Sequence, residues 1–316
     1  MRTPLRSTRA DGTPLTLRSP IVDVALVSST MFAGFCQGRL TLTTAVPVTT
    51  ADVTAAGTIY FTPYQGNLLA LYDGSTKWTV YPFTEISLAL TVTSGKNYDV
   101  YVYDNAGTPT LELSAAWTTD TARADAFALQ NGVAVKSGTT TRRLVGTIRA
   151  SGTDTTEDSA AKRWVANVYP STVRRPLRRV ESTATWVYNT DAWQQANAST
   201  TNQLDYLVSL SGPTVFVELI GIGRHSTAVA VAFSIGIGDD SLTAAATDSI
   251  FGRQSFQVAG QNIQNTATMS ITPAVGRHFA AWLERGGGGA ATTTMVGNEG
   301  GAGAYSNSGL VGWIDA

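Results

Sequence analysis

Alternation with a period of two is the feature that most restricts what this chain can fold into. In "ISLALTVT" the large apolar side chains Ile86, Leu88, Leu90 and Val92 fall on one side, and Ser87, Ala89, Thr91 and Thr93 on the other. Successive side chains of an extended strand point to opposite faces, so this spacing predicts a strand with one buried face. "NYDVYVYD" repeats the pattern, with Val100 and Val102 on one face and Tyr101 and Tyr103 on the other. "AVAVAFSIGIG" repeats it again. There Val229, Val231, Phe233, Ile235 and Ile237 share one face, and Ala228, Ala230, Ala232, Ser234 and Gly236 the other. A face of such small residues suits close approach by another sheet or another subunit.

Turn chemistry falls between these runs. "LLALYDGSTKWTVYPF" places Asp73-Gly74-Ser75-Thr76 between two apolar stretches and predicts a hairpin. "LQNGVAV" puts Asn131-Gly132 where a tight hairpin turn needs positive φ. Charged residues are 14% of the chain, against roughly 25% in ordinary globular domains; threonine, alanine, glycine and valine stand in their place. The expected fold is therefore all-β: an antiparallel β domain followed by a C-terminal, jelly-roll-like β-sandwich knob. One or two short helices are expected as well. "TTEDSAAKRW" leads with acids and closes with Lys162 and Arg163, as a helix macrodipole favours, and Thr121–Leu129 is the second.

The 316 residues are long enough for two cores. Six of the 22 basic residues fall between Lys162 and Arg179, and Pro176 interrupts any helix or inner strand there. This predicts a basic connector at 166–180, between a β-rich domain at 21–165 and a second at 181–316. The connector is expected to meet acidic protein neighbours or solvent rather than nucleic acid. Residues 1–20, with Arg2, Arg6, Arg9 and Arg18, read as an N-terminal arm that orders on docking.

Catalytic patterns are thin. The two histidines, His225 and His278, are far apart, and Ser226 adjoins His225 in a way that sends the two side chains apart. One cysteine, Cys36, allows no intrachain disulfide and suits a reducing compartment. With two dispersed histidines it makes no zinc site. Asp239 and Asp240 in "GIGDDS" offer oxygen ligands for calcium but read more simply as a solvated loop. A net charge of -1 argues against a nucleic-acid partner, and no apolar run has the length of a membrane span. The expectation is a protein that is not an enzyme and carries no cofactor or metal. Recognition would fall to Trp193, whose ring can stack on a sugar, and to Asn298, Tyr305 and Asn307 in the glycine-rich run Arg285–Gly309. That run reads more simply as a flexible crossover between two final strands.

One long segment is familiar. "GRLTLTTAVPVTTADVTAAGTIYFTPYQGNLLALYDG" resembles a segment of structural proteins of tailed bacteriophages, fibre or other virion surface proteins. The likeness continues through "RADAFALQNGVAVKSGTTTRRLVGTIR", "TTEDSAAKRWVANVYP" and "RRPLRRVESTATWVYNTDAWQQAN", covering about residues 36–197. It brings no catalytic residues with it. What it implies is a virion component made in a host cytoplasm, with other virion proteins as partners. By analogy the oligomer is a homotrimer. The leading expectation is a tail fibre or spike protein that attaches by its N-terminal part and presents its knob to a bacterial surface glycan. Alternatives are a capsid decoration, cement or head-fibre protein and, third, a polysaccharide depolymerase.

Overall fold

The computed structural model describes residues 29–169, 173–227, 232–255, 257–288, 292–300 and 306–315. The arm residues Arg2, Arg6, Arg9 and Arg18 lie outside these, as do Tyr305 and the stretch 228–231. The fold is all-β with antiparallel sheets, as the alternation predicts. The helical elements among the described residues are short 3-10 turns at Ser29–Phe32 and Ala196–Ala198.

Neither expected helix forms. Thr155–Asp158 and Lys162–Arg163 are two strands of a tight hairpin with Asp158 opposite Arg163. Lys162 reaches Glu157 at 3.1 Å and Arg163 reaches Asp158 at 3.2 Å. Acids followed a few residues later by bases satisfy a two-strand turn as well as a helix, and tertiary pairing decides for the strand. The second expected helix is replaced by Phe127–Gln130, which pairs with Val133–Lys136 around Asn131 (φ 52°) and Gly132 (φ 82°). That hairpin is the one the Asn-Gly pair predicts.

In the N-terminal half, a three-stranded sheet (Gly38–Thr41, Thr58–Pro63, Ile86–Ala89) and the hairpin Leu68–Tyr72/Trp78–Pro82 enclose one apolar core with the larger sheet. Leu40, Ile59, Phe61, Leu69 and Leu71 meet Val100, Val102, Val145 and Ile148 there. Leu90 and Val92 are buried while Thr91 and Thr93 are exposed, as the period-two reading requires. The Asp73 turn is closed by its own carboxylate, which accepts the amides of Ser75 (2.9 Å), Thr76 (2.8 Å) and Lys77 (3.1 Å). These donors hold the Asp73 carboxyl down at about 2.

On both sides of 170–172, which lie outside the described residues, the region expected as a connector forms strands. Val165–Asn167 pairs with the long strand Thr139–Gly152, and Arg174–Val180 pairs along its whole length with Gly309–Asp315. Pro176 is tolerated because Arg174–Val180 is an edge strand. The acidic neighbours of its cations are intramolecular: Arg163 and Arg175 share buried Asp158, Lys162 meets Glu157, and Arg174 meets Asp315. Arg163 also donates to the Pro176 carbonyl at 2.9 Å and 2.8 Å.

A second core lies between two sheets of the C-terminal half. Gln203–Val208, Ala232–Asp239 and Gly276–Arg285 supply Leu204, Tyr206, Phe233, Ile235, Ile237 and Trp282. Val215–His225, Ile263–Ile271 and Gly309–Asp315 face them with Val215, Val217, Leu219, Met269, Leu310 and Ile314. The two halves are continuous through one 14-stranded sheet, because Lys162–Arg163 runs parallel beside Gln203–Val208. Buried polar groups tie the same seam: Thr147 bonds Asp99 at 2.8 Å and Ser209 at 2.7 Å, and Arg123 pairs with Asp99 at 2.7 Å.

Candidate functional site: an aromatic and arginine-lined cleft

Ser234 stands opposite Arg253 on one side and Arg285 on the other. Directly opposed residues of neighbouring strands point to the same face. Two guanidinium groups therefore flank Ser234 on the outer face of the sandwich, while Phe233 and Ile235 point into the core. Among the described residues, Ala232, Ser234 and Gly236 of the small-residue face lie on this outer face. Its expected cover, a second sheet or subunit, is supplied at Gly236 by the chain itself: a Cβ built on Gly236 would stand 3.2 Å from the Trp193 ring and 3.3 Å from the Ala245 methyl. Beyond Gly236 the face opens into a cleft of about 230 Å³ lined by Asp191, Trp193, Ala232, Ser234, Phe251, Arg253, Arg285, Gly286 and Gly287.

The walls are held by specific contacts. Trp193 meets Phe251 edge to face, with ring centroids 5.3 Å apart at 89°. The Arg285 guanidinium lies 5.9 Å from the Trp193 ring centroid, and its Nε donates to Asp191 Oδ1 at 2.7 Å. The glycine-rich run enters the cleft through Gly286, where a Cβ would stand 2.6 Å from the Tyr188 carbonyl oxygen and the Asn189 carbonyl carbon. Glycine is required at that close approach.

The segment carrying Asp191 and Trp193 is anchored from inside by Glu284. This carboxylate is fully buried and accepts Trp186 Nε1 at 2.6 Å, Gln194 Nε2 at 2.8 Å and the Asn197 amide at 3.0 Å. Burial outweighs those donors and pushes its carboxyl from 4.5 up to about 6. The native state thus holds the proton more tightly than the unfolded chain. Stability from this group is fully present below pH 4.5 and is lost as pH rises through about 6, a difference of about 2 kcal/mol. Urea unfolding of the parent and Glu284→Gln between pH 4 and 8 tests this: the difference between the two profiles changes across that window, and parallel profiles refute the assignment.

The other sequence candidates lie elsewhere. Asn298 and Asn307 flank strands of the opposite sheet and do not line the cleft; Asn307 is exposed, whereas Asn298 is half-buried. Ser226 accepts the Thr292 amide at 3.0 Å while His225 Nδ1 lies 3.0 Å from the Thr227 carbonyl, so the adjacent pair faces different partners. His278 Nδ1 lies 2.7 Å from Asp240 Oδ2 and its Nε2 2.9 Å from the Ala274 carbonyl. Both partners are acceptors, so the imidazole carries both protons. Burial opposes that charge, but Asp240 outweighs it and raises the His278 pKa. No group of three or more His, Cys, Asp or Glu side chains able to hold a metal occurs among the described residues. A larger groove of about 450 Å³ lies where the halves meet, lined by Leu129, Val168, Leu207 and Leu210, with Asp315 its one charged lining residue among those described.

Of the sequence candidates among the described residues, Trp193 lines this cleft; Asp191, Phe251, Arg253 and Arg285, which line it too, were not singled out by sequence reasoning. These define the class of protein described here: an all-β chain whose C-terminal sandwich carries one small, cationic, aromatic-walled cleft. No protein-family model matches the chain, and no curated protein matches it. Among solved structures, the insecticidal delta-endotoxin Cry8Ea1 from Bacillus thuringiensis aligns at 10% identity over 89% of this chain and 51% of that one, with a TM-score of 0.23. A Cry1Da tryptic core variant from the same organism aligns at 7% identity over 90% and 53%, with a TM-score of 0.21. The chain spans about half the length of each, and likeness this slight carries no argument. No helix among the described residues is long and apolar enough to cross a membrane.

Proposed function

We propose that this protein is a non-enzymatic structural protein of a tailed-bacteriophage virion, a fibre or spike component that contacts a bacterial surface glycan through its C-terminal half. The observation that carries the reading is the cleft itself: Trp193, an aromatic wall beside polar groups, sits on a loop segment that Glu284 ties to the sandwich through Gln194 and the Asn197 amide. Sugars are bound in this way, with an apolar ring face on an aromatic side chain and hydroxyls on nearby polar groups. The resemblance of residues 36–197 to phage structural proteins supports the virion setting.

Strand order supports the same reading. With Arg174–Val180, Gln203–Val208, Val215–His225, Ala232–Asp239, Arg253–Ser255, Ile263–Ile271, Gly276–Arg285 and Gly309–Asp315 taken as eight strands in chain order, one sheet runs first, eighth, third, sixth and the other second, seventh, fourth, fifth, and Ser249–Phe251 extends the first sheet beyond the sixth. We read this wiring as a jelly roll, an architecture used by viral capsid and lectin domains. Particle attachment falls to the N-terminal part and the assembly is a homotrimer. Cryo-electron microscopy of intact particles with gold-labelled antibody tests the assignment. Copies at the tail in a small multiple of three are expected. Hundreds of copies over the head would replace it with a capsid decoration role, and absence from the particle would overturn it.

A further inference from the structure

Arg253 and Arg285 give the cleft a charge as well as a shape. Arg285 is already partnered, its Nε held by Asp191 at 2.7 Å. Asp191 is the single carboxylate among the lining residues, so one positive charge is left over, and it belongs to Arg253. Arg253 sits in the exposed three-residue edge strand Arg253–Ser255, opposite Ser234, and lines the cleft. A guanidinium fork matches a carboxylate with two parallel hydrogen bonds, a geometry that a hydroxyl cannot reproduce. Trp193 and Phe251 cover the adjoining wall and leave room for one sugar-sized group.

We infer that the cleft binds a carboxylate-bearing sugar, a uronic or sialic acid unit of a bacterial surface polysaccharide, with its carboxylate on Arg253 and its ring against Trp193. This rests on the adhesive reading above and adds the chemical class of the ligand. Arg285 and Asp191 position the Trp193 segment, and Ser234 lies between the two arginines as a hydroxyl partner for the sugar. The small size of the cleft makes one acidic residue of the polymer the unit recognised. Affinity then comes from several copies of the protein engaging one chain.

The test uses the full chain and two probes: a glucuronate-containing oligosaccharide and the same oligosaccharide after reduction of its carboxyl groups. Titration calorimetry should show the acidic form binding about tenfold more tightly or better, because its charged hydrogen bonds are lost on reduction. Added salt should weaken the acidic form alone. Arg253→Gln, on an exposed edge strand where folding is unaffected, should erase the preference; Trp193→Ala should weaken both forms. Equal binding of the two forms, lost in Trp193→Ala, overturns the acidic class while leaving an adhesin for neutral glycan. A preference that survives Arg253→Gln overturns the assignment of the carboxylate to this cleft. Binding of neither form overturns the inference, and the position of the protein on the particle then decides the adhesive reading independently.

Discussion

Asp158→Ala lowers the stability of the protein by about 3–5 kcal/mol, because removing one partner of a buried ion pair leaves its counter-charge uncompensated. Here it leaves two. Asp158 is 4% exposed and receives Arg163 at 3.2 Å and Arg175 at 2.8 Å, with the Thr49 hydroxyl at 3.4 Å. Burial already presses on Arg175, whose pKa is lowered even with the carboxylate in place. The triad also spans the seam: Asp158 ends a strand of the large sheet, and Arg175 lies in the edge strand paired with Gly309–Asp315. Urea unfolding should show the loss as a lower midpoint, and transitions of the two halves that no longer coincide. A change under 1 kcal/mol would mean that water screens the triad. Replacing all three residues with apolar ones of similar volume should recover much of the loss.

Arg143→Met is the second large effect, on the order of 3 kcal/mol or more, since hydrogen bonds from a charged donor to buried acceptors are lost together. Arg143 is 1% exposed, and its Nη1 donates to three carbonyls, those of Ala33 (2.8 Å), Phe35 (2.9 Å) and Ala70 (2.9 Å). Its guanidinium also lies 4.6 Å from the Tyr169 ring centroid. One side chain on the long central strand thus pins the first described part of the chain to the Leu68–Tyr72 hairpin. In hydrogen exchange the amides of Phe35 and Gln37, bonded to Phe32 and Leu68, should exchange faster in the variant, while Val217 and Leu219 in the distant sandwich stay protected. Uniform acceleration everywhere would mean that Arg143 supports the whole fold and not this junction. On the proposed reading the junction is where load from an attached N-terminal part enters the β domain.

Local chemistry made much of this fold legible. The Asp73 and Asn131-Gly132 turns were readable because each depends on a carboxylate or on positive φ within four residues. The strands around Ile86, Val100 and Phe233 were readable because the large apolar side chains of one face pack into a core at every second position, even where the other face is buried too, as at Asp99 and Tyr101. Residues 155–163 were not, since acids preceding bases by a few positions satisfy a helix and a tight hairpin alike. The basic run was misread as a connector for a related reason: charge states a need for a partner without naming it, and Asp158 becomes that partner only when two strands meet.

The candidate site divides in the same way. Trp193 was visible as a residue able to stack on a sugar. Its surroundings were not, because Arg253, Ser234 and Arg285 form one row only through the register of three strands far apart in sequence. The small-residue face was visible too, but whether a subunit or a loop of the chain covered it depended on where the 186–197 segment returned. At Gly236 it is the loop, whose segment Glu284 holds through Trp186, Gln194 and the Asn197 amide. That the chain is all-β, where several of its turns fall and which faces are apolar could be read from the residues, since all three follow from side-chain periodicity and nearby backbone geometry. Tertiary structure alone decided which charges pair and which side chains share a cleft, because both depend on distances between segments that no local pattern records.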